Sequence, residues 1–233
     1  MPCTLPASLA DAAVCRGSFH AVLGGEAGEA VFADFSAALQ KAQAEGRILT
    51  ASLFRYENHL FFYAEGLNRP FTPQGLCPAL DAALLPWPPA LGEAAPRPWA
   101  AMQPYFYHDV PTTAADWQRG RCQQRRRGRI ALLPPDSWCS YMEHHLRIVT
   151  EGLVEGDRWH LICVQEGVLF SYLEEPRTNV NIKHQPGAHS PELDAWIAAD
   201  PESHFARFTP EQKAHPDSSH NFVFLPRIAG TED

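Results

Sequence analysis

Residues 46–66 read GRILTASLFRYENHLFFYAEG, and residues 156–175 read GDRWHLICVQEGVLFSYLEE. Gly46 falls on Gly156 at an offset of 110 residues, and Leu60-Phe61-x-Tyr63-x-Glu65 falls on Leu169-Phe170-x-Tyr172-x-Glu174 at an offset of 109. The one-residue difference sits between two β-prone runs, where a hairpin loop absorbs it. Working outward, residues 18–66 match residues 128–175 in order, spacing and pattern. Further on, Pro78-x-Leu80-Asp81-Ala82 resembles Pro191-x-Leu193-Asp194-Ala195 at an offset of 113. Both stretches close on an aromatic run, Tyr105-Phe106-Tyr107 and Phe222-Val223-Phe224. The chain is an internal repeat.

Each copy supports the same string of elements. Residues 19–23 and 129–133 are β-prone runs ending in Gly-Gly or Pro-Pro turns. A helix follows over residues 30–45, with Val31, Phe32, Phe35, Ala38 and Leu39 at helical spacing and Gly46 as its stop. In the second copy Asp136 or Ser137 is the expected N-cap. Tyr141, His145, Ile148 and Gly152 then recur at steps of 4, 3 and 4, with Gly156 as the stop. Residues 48–54 pair with 60–65, and 158–164 with 168–174, through turns at Glu57-Asn58 and Glu166-Gly167. A shorter helix (78–85; 191–199) and a closing strand complete the unit. The string βαββαβ is the ferredoxin-like split unit, so the expected class is α+β with two tandem ferredoxin-like halves. The expected organisation is an N-terminal extension (1–16), a first half (17–110), an Arg-rich linker (111–127) and a second half (128–230).

Composition bounds the function. The 233 residues are 45% hydrophobic and 20% charged, with 19 Lys+Arg against 27 Asp+Glu and a formal net charge of −8. That is ordinary globular composition, and an acidic chain lacks the basic surplus of a dedicated nucleic-acid or anionic-membrane binder. No apolar run approaches the ~20 residues of a membrane span, and no basic segment precedes an apolar one at the start, so a cytoplasmic protein is expected. Cys3, Cys15, Cys77, Cys122, Cys139 and Cys163 show neither CxxC nor CxxH spacing, so no metal or dithiol site is expected. Arg119, Arg121, Arg125, Arg126 and Arg127 cluster in the linker without interleaved aromatics, which reads as a solvated segment with acidic partners in the same chain. His184, His189, His204, His215 and His220 lack metal-ligand spacing and read as loop residues.

The chemistry-bearing stretch is Trp138-x-x-Tyr141-x-Glu143-His144-His145-x-x-Ile148-x-x-Glu151. Neighbours on a helix are ~100° apart, so His145 lies on the Tyr141/Ile148 stripe and His144 lies off it. His145 is then either a core histidine or, with Tyr141 one turn away, a general acid/base. The first copy has Val31 and Phe35 where the second has Tyr141 and His145, as expected if one of two duplicated sites works and equally if neither does. By strand alternation His160 shares a face with Arg158 and Ile162, while Trp159, Leu161 and Cys163 share the other. Trp138, Trp159 and Trp196 are either core or stacking platforms.

On these residues the second copy resembles the L-rhamnose mutarotase family, over roughly residues 129–228 and more loosely over 18–110. That family's first helix carries a Tyr, an Arg-His pair, an Ile and a Glu, here Tyr141, His144-His145, Ile148 and Glu151. Its hairpin ends in a similar Leu-Phe (Leu169-Phe170) and its last strand in a similar Leu-Pro (Leu225-Pro226). His144 stands where the family has Arg, the family's adjacent Trp pair is absent, and its strand tyrosine falls at His160 or Cys163. The resemblance implies an intramolecular version of a dimeric α/β barrel, complete in the monomer. It also implies cofactor-independent interconversion of the anomers of a monosaccharide. His145 would exchange protons, Tyr141 would orient or share them, and His144, His160, Trp138 and Tyr172 would contact the substrate. Two other functions fit the same barrel class. One is a cofactor-free monooxygenase with a pocket lined by His, Trp and Asn; the other is a non-catalytic small-molecule-binding protein.

Overall fold

The computed structural model describes residues 6–119, 125–177, 183–184, 187–213 and 216–231. Arg121, Cys3, Cys122 and His215 lie outside these residues, as does the side chain of His184. The described chain is α+β and runs β1 (Val14–Val22), α1 (Glu29–Ala44), β2 (Ile48–Tyr56), β3 (His59–Leu67), α2 (Pro78–Ala83), β4 (Ala100–Tyr107), β5 (Arg125–Leu132), α3 (Pro135–Glu151), β6 (Val154–Glu155), β7 (Leu161–Gln165), β8 (Val168–Glu175), β9 (Lys183–His184), α4 (Pro191–Ala198), β10 (Val223–Leu225) and β11 (Arg227–Gly230). Single 3-10 turns lie at Ala7–Leu9 and Pro201–His204. The strand pairings described are antiparallel.

The chain divides into two compact units. The first comprises Met1–Met102, Pro111–Cys122 and Pro226–Asp233. Its strands are hydrogen-bonded in the order β4-β1-β3-β2-β11. Phe32, Phe35, Leu39 and Ala42 of α1 recur at steps of 3, 4 and 3 and are buried against Leu60, Phe62 and Ala64 of β3 and Ala51 and Leu53 of β2. Phe35 meets the edge of Phe62 at 5.7 Å, and Phe19 lies 6.3 Å from Phe62. The helix stops where Gly46 takes a φ of 69°, a conformation that costs glycine little.

The other face of β3 carries Phe61, Tyr63 and Glu65, and they are buried too. Glu65 is fully enclosed, so its carboxylate needs partners. Tyr63 Oη donates to Oε1 at 2.6 Å, Trp117 Nε1 donates to Oε1 at 3.0 Å, and Arg119 grips both oxygens at 2.5 and 2.6 Å. Arg16 Nε donates in turn to Tyr63 Oη at 2.9 Å. Burial alone pushes the Glu65 carboxyl up. The Arg119 charge and hydrogen bonds, the Tyr63 hydroxyl and Arg16 outweigh it and hold the group below its ordinary value.

The second unit comprises Gln103–Val110 and Gln123–Leu225. Its order is β10-β5-β8-β7-β4, so in each unit the first long strand is flanked by the third and the last. Tyr141, His145 and Ile148 of α3 are buried with Ala131, Leu133, Ile162, Val164 and Leu169 from the sheet and Leu193 and Trp196 from α4. The Tyr-x-Glu signature behaves alike in both units: Tyr172 Oη donates to Glu174 Oε1 at 2.6 Å, as Tyr63 does to Glu65. The registers agree as well, with Arg126 opposite Glu174 and Arg16 opposite Glu65.

Several expectations are corrected. β1 begins at Val14, inside the expected extension, because Val14 to Arg16 extend the ladder against Leu67 to Glu65. α3 ends at Glu151, with Gly152 rather than Gly156 as the left-handed stop at φ 68°. The 158–164 strand begins only at Leu161, since a turn brings His160 N–H to the Asp157 carbonyl at 3.1 Å. Among the described residues Arg119 and Arg127 find the acidic partners expected within the chain, but as part of packed elements rather than a solvated linker. Arg119 is the Glu65 clamp, and Arg125, Arg126 and Arg127 open β5. Arg127 binds Glu175 at 2.9 Å and Asp217 at 2.8 Å. Their partners are far off in sequence, which composition does not display. Residues 226–230, assigned to the second half by the repeat, instead form β11 beside β2 of the first unit.

Replacing Glu65 by Gln leaves the Arg119 guanidinium without its counter-charge, and breaking a buried pair in this way costs about 3–5 kcal/mol. A carboxyl depressed in the fold contributes its full stability above its unfolded pKa and loses it as pH falls through the folded value. Urea titrations from pH 7 to pH 3 are expected to show wild type losing stability below about 4.5, the ordinary value, with Glu65→Gln starting lower and losing less. Gly66 makes a second test, because a Cβ there would stand 2.2 Å from the Arg69 carbonyl oxygen. Gly66→Ala is expected to lower unfolding stability by about 1–3 kcal/mol through overpacking.

Candidate functional site

The helical stripe that faces the sheet of the second unit places His145 among rings. Its residue exposure is 3%, and its Nδ1 lies 3.0 Å from the Tyr141 carbonyl oxygen. A carbonyl only accepts, so Nδ1 carries the proton and Nε2 keeps the lone pair. Burial pushes the imidazole down to about 4, against the pull of the Tyr141 carbonyl, with His144 and His204 also disfavouring the cation. At neutral pH His145 is therefore an uncharged acceptor. Trp196 at 4.6 Å, Phe106 at 5.2 Å and Tyr105 at 5.4 Å stand edge-on to it, and Tyr141 lies tilted at 4.3 Å.

Tyr141 extends the box. Its ring meets Trp196 and Phe205 at 5.1 Å each, His204 at 5.8 Å and Tyr105 at 6.1 Å. Burial holds both tyrosine hydroxyls above their ordinary range. Arg129, from β5, brings a positive charge to the same place, with its Cζ 4.2 Å from the centre of the Phe222 ring. Burial lowers its pKa to about 10, and the nearby Arg177 pushes the same way against Tyr141, Tyr105 and Glu202. Arg129 Nε, His204 Nδ1 and Asn221 Oδ1 are shut off from solvent and have no hydrogen-bond partner among the described residues, while the Tyr105 and Tyr141 hydroxyls interact with each other. The Asn221 amide donates to Glu202.

The first unit shows what these positions hold when they only fill a core. Phe19 pairs with Phe62 across β1 and β3 in the register in which Arg129 pairs with Ser171 across β5 and β8. At the helix, Val31 and Phe35 stand where the second unit has Tyr141 and His145. Four apolar positions of one copy are thus Arg, Ser, Tyr and His in the other, all directed between helix and sheet. Packing does not demand that change, since an apolar set already fills the equivalent space.

Tyr141 and His145 come together as expected, and His144 stands at the rim, half-buried and 5.4 Å from the Trp196 ring. The others are placed elsewhere. Trp138 is 40% exposed and lines an outer groove of about 680 Å³ with Met142, Leu146 and Pro191. Tyr172 is buried with its hydroxyl committed to Glu174. His160 precedes β7, so strand alternation does not apply to it, and its ring lies 5.7 Å from Phe106, which also touches His145. Sequence reasoning missed Tyr105, Arg129, His204 and Asn221 as site residues. Among the described residues no group of three or more His, Cys, Asp or Glu side chains is arranged to hold a metal.

No protein-family profile and no curated protein matches the chain. Three solved structures align with it at very low identity. One is named "putative monooxygenase" and comes from Fusobacterium nucleatum subsp. nucleatum ATCC 25586 (8% identity, 94% of both chains, TM-score 0.39). Another of the same name comes from Lactobacillus acidophilus NCFM (7% identity, 94% of this chain and 96% of that one, TM-score 0.38). The third is an anthrone oxidase-like protein (6% identity, 94% of this chain and 92% of that one, TM-score 0.37).

Proposed function

We propose that the second unit binds a small, flat aromatic molecule between α3 and its sheet and removes a proton from it with His145. The reading carries cofactor-independent oxygenation: loss of a proton from an acidic, electron-rich ring system leaves an anion that reduces dioxygen directly. In balance, a ring CH2 and O2 give a ring C=O and water. The observation behind this is the neutral His145 in a box of Trp196, Tyr105, Tyr141 and Phe106, with His204 close enough to disfavour its cation. His145, His204 and Trp196 supply the His and Trp of the lining that the monooxygenase alternative asks for. A pyranose would ask for hydroxyl-matching polar groups around the base, and every ring touching His145 is aromatic, so sugar mutarotation fits less well. In the same reading the two units are tandem ferredoxin-like halves of the dimeric α/β-barrel class, supported by their common strand order and Tyr-x-Glu pairs. The partner is a small molecule; the net charge of −8 offers nucleic acid and anionic membranes no attraction. Among the described residues no helix is long and apolar enough to cross a membrane.

A second reading makes His145 a structural core residue, favoured by its 3% exposure and its bond to the Tyr141 carbonyl. Oxygen uptake with a panel of naphthols and anthrone, run beside anomeric exchange on a sugar panel, separates the two. Accelerated uptake that falls roughly 10²–10⁴-fold in His145→Gln supports the oxygenase. Uptake unchanged by the substitution, or exchange on sugars alone, overturns it.

Stability provides an independent reading of the same histidine. Its folded pKa is depressed from 6.5 to about 4, so the unfolded chain binds the proton first. Stability is then complete above about 6.5 and declines as pH falls towards 4. The variant His145→Phe, which installs the residue of the first unit, is expected to flatten that decline in urea titrations. If the site is functional, the variant is also at least as stable as wild type at pH 7. A structural histidine would instead make it less stable.

A further inference from the structure

We propose that Arg129 is an anion subsite, and that the ligand of the second unit is an aromatic carboxylate whose acid group docks on this guanidinium beside the Tyr105 and Tyr141 hydroxyls. This deepens the aromatic-ligand reading and rests on it. Arg129 projects from β5 on the same face as Ala131 and Leu133, the face that α3 covers. Its Nε is closed to solvent and unbonded, and its guanidinium lies against the Phe222 ring. Guanidinium groups are retained in protein interiors when a carboxylate or phosphate meets their fork of donors.

Arg127, two residues earlier on the same strand, has that arrangement, with Glu175 and Asp217 both in contact. Arg119 has it with Glu65. Arg129 does not. The neighbouring acid, Glu202, is exposed and already takes the Asn221 amide. The other nearby charge is the cation Arg177, bonded to Asp157. One negative group is missing from this neighbourhood. The Tyr105 and Tyr141 hydroxyls face each other beside this guanidinium, and an arriving carboxylate supplies an acceptor to that pair as well. The position is not cationic by structural necessity, because the first unit places Phe19 there.

The probes are 2-naphthoate and its neutral isostere 2-naphthamide, titrated calorimetrically into wild type, Arg129→Gln and Arg129→Lys. Wild type is expected to bind the acid at least ~10-fold more tightly than the amide, as a charge-assisted pair provides. Arg129→Gln should erase the preference while keeping amide binding, and Arg129→Lys should keep part of it. Equal binding of acid and amide by wild type, or a preference that survives Arg129→Gln, overturns the anion subsite and leaves the aromatic box intact. Absence of binding for both probes counts against the box and the subsite together. Ligand-free urea denaturation is the readout that holds whatever the chemistry. Removing a half-buried cation that no carboxylate bonds should raise the unfolding midpoint of Arg129→Gln above wild type, and a lowered midpoint would show that the fold already compensates the charge.

Discussion

A strand buried on both faces must satisfy every polar side chain it carries or do without polar side chains. β3 is in that position: from Leu60 to Leu67 every residue is buried. One face is apolar and takes α1; the other carries Tyr63 and Glu65, and the carboxylate recruits hydrogen bonds from four side chains directly or in relay. Arg16 brings β1 into this network, and Trp117 and Arg119 tie the segment 111–119 to the same sheet. An exposed acid would need none of this, since surface ion pairs contribute little. Enclosure turns one carboxylate into the anchor of two otherwise unrelated stretches of chain.

The second unit repeats that solution with Tyr172 and Glu174, then departs from it on the helix-facing side. There Arg129, His204 and Asn221 bury polar atoms without completing their hydrogen bonds. Such groups lower stability by about 1–3 kcal/mol each relative to satisfied ones. A chain that gives the Glu65 carboxylate bonds to both oxygens and gives the Arg129 guanidinium no bonded carboxylate is not short of means. The contrast between two units of like strand order separates what packing requires from what the proposed site would require. Comparison within a single chain does this without any relative to consult.

Legibility followed sequence distance. The repeat, the hairpins at Glu57 and Glu166, the positions of α1 to α4 and the inward stripe Tyr141-His145-Ile148 were readable because each depends on spacing within about twenty residues. The partners of the arginines were not, because Glu65 and Arg119 meet across a long separation and a run of Arg looks the same whether solvated or clamped. β11 was invisible for a similar reason: a four-residue strand takes its place from β2, not from its own pattern. Tyr105, His204 and Asn221 lie on a closing strand and in loops whose residues have no period. Arg129 is different, since the repeat offset that set Val31 against Tyr141 also sets Phe19 against Arg129. Extending that comparison to every core position would have marked it.

The electrostatics of His145 and Arg129 belong together. A neutral imidazole that gains a proton only near pH 4 is a weak base while the box is empty of charge. Burial produces that low value, and a neighbouring anion opposes it, because a negative charge in a poorly solvated site favours the imidazolium. An aromatic acid held by Arg129 would thus do two things at once. It would neutralise the uncompensated guanidinium, and it would raise the proton affinity of the acceptor one ring away. The ligand-free fold keeps His145 neutral, and under the proposal the base would gain strength as the anionic ligand arrives. On this argument the unmet polar groups are the half of a charge network that the protein supplies, with the ligand supplying the other half.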